Sequence, residues 1–198
     1  MAITNGYCTL AEIKAALRLT DNADDTLLEN SIEGASRRID GYCGTFFYQT
    51  TKTVKLFTRW DYYCAIPDLA TASGLVLKTD DVGDQTFSTT WSASDYMLNP
   101  TDTTLSGVPY RKIVAIGSKT FPLFVDPQRP AVELTGTFGW PSVPDDVREA
   151  CVLLAMRGFA RYNSALGVVG FADMAITVRA VDPDVRDYLM PYRQMVVA

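Results

Sequence analysis

Apolar positions recur at two different periods along this chain, and the change of period divides it. Near the start, Thr9-Leu10-Ala11-Glu12 has the form of a capping box, in which the Thr9 hydroxyl and the Glu12 carboxylate each accept from an otherwise unpaired N–H. Leu10, Ile13, Ala16 and Leu17 follow as one apolar stripe. After the acidic turn from Thr20 to Asp25, Leu28, Ile32, Ala35, Ile39 and Tyr42 alternate steps of four and three, which predicts a second, longer helix. Its first turn is acidic, Arg37-Arg38 lie in its later part, and Gly41 and Gly44 mark its end. From about Thr51 to Trp140 the helical period disappears. Val54, Leu56 and Thr58 alternate with Lys55, Phe57 and Arg59, and further strands are expected at Leu75–Leu77, Thr86–Trp91, Arg111–Ile116 and Ala131–Phe138, between turns rich in Gly, Pro and Asp. So many short strands in one stretch predict a small antiparallel sandwich or barrel.

Helix returns at Ser142-Val143-Pro144-Asp145, with Ser142 as the expected N-cap and Pro144 and the acids suited to a first turn. Val147, Ala150, Cys151, Leu154, Ala155, Phe159 and Tyr162 then run down one side. A glycine-punctuated link from Gly167 to Phe171 leads to an expected strand at Ala175–Val181. Asp182-Pro183-Asp184 opens a last short helix, with Asp182 as N-cap, and Pro191 stops it. The pattern predicts an α+β fold. Helices from residues 1–50 and 141–198 form one bundle, and a small antiparallel β-sandwich or barrel module, residues 51–140, is inserted between the second and third helices.

Composition removes most chemistry from this scaffold. At 198 residues the chain is long enough for a core that needs no disulfide or metal. It has no histidine, the commonest general base and metal ligand, so Ser-His-Asp, Cys-His and HExxH sites are excluded. The formal charge of -5 and the pI near 4.7 are the opposite of a nucleic-acid-binding footprint, and the charge is evenly spread. Cys8, Cys43, Cys64 and Cys151 show no C-x-x-C spacing and read as small buried hydrophobes in a reducing compartment. The start of the chain has no basic and apolar leader pattern, and the longest apolar run, Ala150–Met156, is too short for a membrane span. A soluble, non-exported protein with no membrane association is expected.

The remaining motifs have plain structural readings. Asp24-Asp25 and Asp145-Asp146 sit in helix-initiating turns, where negative charge complements the dipole. Asp80-Asp81-Val82-Gly83-Asp84 fails the calcium-loop pattern at Val82 and Gln85 and reads as a turn. Gly117-Ser118-Lys119-Thr120 lacks the order of a phosphate loop. No catalytic residue, metal or cofactor is expected. The aromatic residues point instead to contact. Trp60, Tyr62 and Tyr63 cannot all face one core, so one or two are expected to pack inside and the remainder to anchor an interface, and the apolar stretch Tyr188–Ala198 docks either on its own domain or on another chain, with a partner preferred.

Three stretches together carry a resemblance. Cys8 to Leu19 followed by Leu27 to Gly44, Gly136 to Ala150 at the re-entry into the third helix, and Gly167–Phe171 followed by Asp182–Arg186 and Tyr192-Arg193 resemble the head-to-tail connector proteins (adaptors, or head completion proteins) of long-tailed bacteriophages. The resemblance implies a virion structural protein, made in the host cytoplasm and placed at the head–tail interface. It would form a homo-oligomeric ring, dodecameric in the virion, beneath the portal protein. DNA would pass through the lumen without specific binding, and a downstream tail or connector protein would meet the lower face. In such proteins the C-terminal segment engages the portal, which assigns that role to Tyr188, Met190, Tyr192 and Arg193. Arg37 and Arg38 are expected to meet acidic groups such as Asp24 and Asp25 of a neighbouring subunit, with a solvated helix end as the equal alternative. Trp60, Tyr62 and Tyr63 are expected on the tail-side or outer surface. The competing readings are a soluble β module that binds carbohydrate or peptide, and a histidine-free enzyme working through carboxylates.

Overall fold

A computed structural model of the chain describes residues 3–124, 126, 129–162, 170–171, 174–175 and 183–194. The chain separates into two compact units, one built from residues 1–48 and 143–198 and the other from 49–142. Together they make an α+β protein, as the periodicity predicts.

In the first unit, α1 (Leu10–Leu17) opens with the expected capping box. The Glu12 amide donates to the Thr9 hydroxyl at 3.2 Å, and the Thr9 amide donates to the Glu12 carboxylate at 2.7 Å. Arg18 closes the helix in the left-handed region (φ 57°), and its amide and that of Leu19 return to carbonyls of the last turn. Of the expected stripe only Ile13 is fully buried and Ala16 is exposed, because an eight-residue helix has one turn's width of contact with its neighbours. The longer α2 (Asp25–Cys43) buries Leu28, Ser31, Ile32, Ala35, Ser36, Ile39 and Cys43. Cys43 therefore completes the stripe, and Tyr42, one residue earlier, lies half-exposed beside it. The buried serines stay satisfied by bonding back along the helix, Ser31 to the Leu27 carbonyl at 2.9 Å and Ser36 to that of Ile32 at 2.8 Å.

After the second unit the chain re-enters as α4 (Asp145–Tyr162), which buries Val147, Ala150, Cys151, Leu154, Ala155 and Phe159 against α2 and α1. It starts at Asp145, with the Pro144 carbonyl accepting its first bond from the Arg148 amide, so Ser142 is not the cap. Tyr162 ends the helix exposed rather than in the stripe. Short strands β8 (Gly170–Phe171) and β9 (Met174–Ala175) pair antiparallel. The expected strand at Ala175–Val181 and the Asp182 cap fall almost wholly outside the described residues. The last helix, α5 (Pro183–Leu189), begins at the expected proline and packs on α4 through Val185 and Leu189. A single 3-10 turn, Met190–Tyr192, continues past Pro191.

The second unit is a curled antiparallel sheet of seven strands: β1 (Thr50–Leu56), β2 (Tyr63–Leu69), β3 (Val76–Thr79), β4 (Thr89–Trp91), β5 (Tyr96–Asn99), β6 (Tyr110–Ala115) and β7 (Val132–Phe138), with a short α3 (Thr103–Ser106) between β5 and β6. The order is β4-β3-β7-β2-β6-β5, and β1 pairs with β7. Val132, Leu134 and Phe138 point into its core with Leu77 and Ile113, while Thr135 and Thr137 face out and meet Thr53 and Thr51 of β1 through hydroxyl contacts of 2.7 and 3.1 Å.

Two strands are present that the pattern did not predict. β2 contains Pro67 and a register shift between Ala65 and Leu69, so its alternation is interrupted and the buried Asp68 answers Arg111 at 2.7 Å. β5 is only four residues long. The expected strand Thr86–Trp91 shrinks to Thr89–Trp91 because Gln85 and Phe87 hold positive φ values of 67° and 48°.

Candidate functional site

The helical unit binds its own leading segment along α2. The amides of Thr4 and Asn5 donate to the Glu33 carboxylate, the Tyr7 amide donates to the Ser36 hydroxyl at 3.0 Å, and the Tyr7 hydroxyl donates to Asp40 while accepting from the Phe47 amide at 2.9 Å. Burial, and then the bond to Asp40, push the Tyr7 hydroxyl far above its ordinary range. Burial also raises Asp40, opposed by its bonds to Tyr7 and the charge of Arg37.

Arg37 belongs to this knot. It pairs with Asp40 at 3.0 Å, donates to the Asn5 carbonyl at 2.8 Å, and lies over the rings of Tyr7 and Tyr48. Asp25 accepts Lys14 at 2.7 Å. Of the four residues expected between subunits, Arg37 and Asp25 are thus engaged within the chain. Arg38 is exposed with no ion-pair partner among the described residues, and Asp24 occupies the N-cap of α2 without a side-chain bond to the helix.

The four residues expected at the portal also divide. Tyr188 and Met190 are exposed, at 38% and 66%. Tyr192 turns inward, its ring meeting Phe47 edge-on at 5.8 Å and its hydroxyl donating to Asp146 at 3.2 Å, and burial followed by the Asp146 charge raises it. Arg193 lies over the Tyr42 ring, and the Gln194 amide donates to the Cys43 carbonyl at 2.8 Å. Up to Gln194 the segment docks on its own unit while Tyr188, Met190, Pro191 and Arg193 stay exposed; residues 195–198 lie outside the described residues.

In the β unit, Trp60, Tyr62 and Tyr63 form a mutual aromatic cluster. Trp60 and Tyr63 stack at 6.0 Å between centroids, Tyr62 meets Tyr63 at 5.0 Å, and Trp60 and Tyr62 remain about half exposed, at 50% and 55%. The sheet register extends the cluster in a way the sequence spacing does not reveal. Tyr63 sits opposite Val114, and Val114 opposite Met97, so three apolar side chains cross β2, β6 and β5 on one face, with the Lys112 ammonium 4.6 Å from the Tyr63 ring centroid. Their sequence neighbours Cys64 and Ile113 fill the opposite, buried face. Such an aromatic and apolar face with a flanking cation has the make-up of a protein contact surface.

The groups needed for other chemistry are committed to structure. The Asp80 carboxylate accepts from the amides of Gly83, Asp84 and Gln85 at 2.6, 3.1 and 2.9 Å and so organises its turn. Asp145 takes Arg148 at 2.6 Å, and Asp146 takes Tyr192. An open cavity of about 340 Å³ lies between Thr79, Asp81, Thr89, Trp91, Lys119 and Pro122. Much of its polar lining is paired: Asp81 with Thr89, Thr79 with the Trp91 indole, Lys119 with Asp95; Ser118 and Thr120 complete the wall. Among the described residues no cluster of His, Cys, Asp and Glu could hold a metal ion, and no helix is long and apolar enough to cross a membrane.

Residues 7–63 match the family of phage gp6-like head-tail connector proteins. Over that stretch the chain is similar to head-tail connector proteins. The matched stretch spans α1, α2 and β1 and includes both the Tyr7–Asp40–Arg37 knot and the aromatic cluster. No curated protein matches the chain in sequence. Solved structures match it over its whole length. A chain from the neck of an empty gene transfer agent (GTA) particle computed with C6 symmetry is 20% identical with a TM-score of 0.60, covering 100% of this chain and 95% of that one. A chain from the virion of a native GTA particle is 23% identical with a TM-score of 0.58, at 100% and 95% coverage. One from the neck of a native GTA particle computed with C12 symmetry is 22% identical with a TM-score of 0.53, at 100% and 94% coverage. The likeness is one of fold across both units.

Proposed function

We propose that this chain is a structural head-to-tail adaptor of a phage-like particle, a ring subunit beneath the portal that extends the DNA channel and passes the joint on to a tail or further connector protein. The observation that carries the reading is the similarity to head-tail connector proteins at residues 7–63 within a fold that chains of particle necks share from end to end. In this reading residues 1–50 and 141–198 are the helical connector core and 51–140 its inserted β module. The core presents Tyr188 and Met190 to the portal, while Tyr192 and Arg193 hold the segment in place from behind. Arg38 and Asp24 are the charges left for a neighbouring subunit. Trp60, Tyr62 and Tyr63, extended by Val114 and Met97, face the tail-side component. The acidic balance suits a conduit, since a lumen that attracted phosphates would retard the passage of DNA. Nothing in this role calls for catalysis.

Mixing the purified chain with portal rings of the same particle tests the reading. Negative-stain images should show an added ring of density on one face of the portal, and a chain truncated after Pro183 should fail to add it. An unchanged portal with the full chain would overturn the proposal. Binding by the truncated chain would remove only the C-terminal assignment.

A further inference from the structure

The sulfurs of Cys8 and Cys151 lie 3.2 Å apart in the buried heart of the helical unit, although the two residues come from opposite ends of the chain. Their hydrogens have one consistent arrangement. Ser36 gives its proton to the Ile32 carbonyl at 2.8 Å, which leaves its oxygen to accept from the Tyr7 amide and from Cys151 at 3.4 Å, so the Cys151 sulfur is the acceptor for the Cys8 thiol. A covalent bond between the sulfurs would replace that contact and leave no polar group stranded, because Ser36 keeps its other two partners. Among the described residues neither remaining cysteine has a sulfur neighbour of this kind: Cys43 approaches the Leu189 carbonyl and Cys64 that of Ala65.

We infer that Cys8 and Cys151 form an oxidisable pair that closes to a disulfide when the protein meets a small-molecule disulfide such as oxidised glutathione. A thiolate of Cys8 attacks one sulfur of the oxidant and expels one reduced thiol. Cys151 then attacks the Cys8 sulfur of the mixed disulfide and expels the second. Two protein thiols are oxidised, one oxidant disulfide is reduced to two thiols, and the two protons lost by the protein end on those thiols. The hydrogen bond to Cys151, and then burial, push the Cys8 thiol up in the closed state, so reaction proceeds through local detachment of the segment around Cys8 and quickens as pH rises. The bond would tie that segment to α4 across 143 residues of sequence, a long loop of the kind whose closure most restricts the unfolded state. In the adaptor reading, a subunit reduced during assembly would be stapled once its particle reached an oxidising medium; the chemistry itself does not depend on that reading.

The test uses the full folded chain incubated with excess oxidised glutathione at pH 8. Intact mass should show the loss of two hydrogens, a non-reducing peptide map should join the Cys8 and Cys151 peptides, and the thermal midpoint of the helical unit should rise and fall back with dithiothreitol. C43S should behave as wild type. C8S and C151S, each first checked for folding by its thermal transition under reducing conditions, should lose the shift. An unreacted dithiol, a glutathione adduct that never resolves, a bond through Cys43 or Cys64, or a midpoint that does not move would each overturn the inference.

Discussion

The two units spend their aromatic residues differently. In the helical unit Tyr7, Phe47 and Tyr192 turn inward and meet edge to face, and each tyrosine hydroxyl is aimed at a carboxylate. In the β unit Trp60, Tyr62 and Tyr63 stack on one another at the surface, and Phe57, Met97 and Leu123 are also exposed. The first arrangement makes a unit that ties its own distant segments together. The second leaves apolar area unspent within the chain, which water penalises until something covers it. Rings used as internal ties should matter to stability, and rings used as outward contacts should matter to association.

Core truncation should separate the units most sharply. Phe138→Ala in β7 should cost about 3–5 kcal/mol, and Ile39→Ala in α2 about 2–5 kcal/mol. Calorimetry should place each loss in the transition of the unit that holds the residue. One merged transition shifted equally by both would break the comparison. Asp80→Ala comes next, since it removes the buried acceptor of three loop amides; about 1–3 kcal/mol should be lost from the β unit alone, read from its denaturation midpoint. Thr9→Ala should remove about 1 kcal/mol from the helical unit through the lost cap. The partner of that cap gives a pH signature. Glu12 is held below its ordinary range, first by the Thr9 amide, so its contribution is present above the ordinary carboxylate pKa and fades as pH falls through the lowered value. Protection of the α1 amides, measured relative to their intrinsic exchange rates, should therefore fall in acid for the wild type and lose that acid dependence in Glu12→Gln. The smallest effect on stability belongs to Trp60→Ala, within about 0.5 kcal/mol of wild type as for other surface positions. If the outward rings serve association, the same substitution should abolish binding of a tail-side partner in a pull-down.

The helical unit was the more legible of the two because its signals are local. A capping box, a four-and-three stripe and a proline at the start of α5 each act within a few residues, and each appears where the pattern places it. The stripes differ from the structure at Ala16, which is exposed in the short α1, and at their edges, where Cys43 displaces Tyr42 and Tyr162 faces solvent. The β unit depends on partners far along the chain. β2 carries a proline and a bulge that only its pairing with β6 explains, and the positive φ values at Gln85 and Phe87 belong to a loop built on the Asp80 carboxylate. Among the contact residues, a run of adjacent rings could be read as exposed from spacing alone. Arg37 could not be read as an internal anchor, because its partners at Asn5 and Tyr7 reach α2 only in the fold. Met97 joins the aromatic face through register, which has no signature in its neighbours.

The amide of Gln194 bonds to the Cys43 carbonyl, the last turn of a helix made much earlier in the chain. Synthesis runs in one direction, so α2 leaves the ribosome with this carbonyl unpaired and waits through the whole of the β unit for α4 and the segment beyond α5. The β unit, by contrast, is complete as soon as its last strand emerges and can fold while its neighbour is still in two pieces. A chain cut short by even a few residues before Gln194 would therefore keep an intact β unit beside a helical unit whose end was never closed.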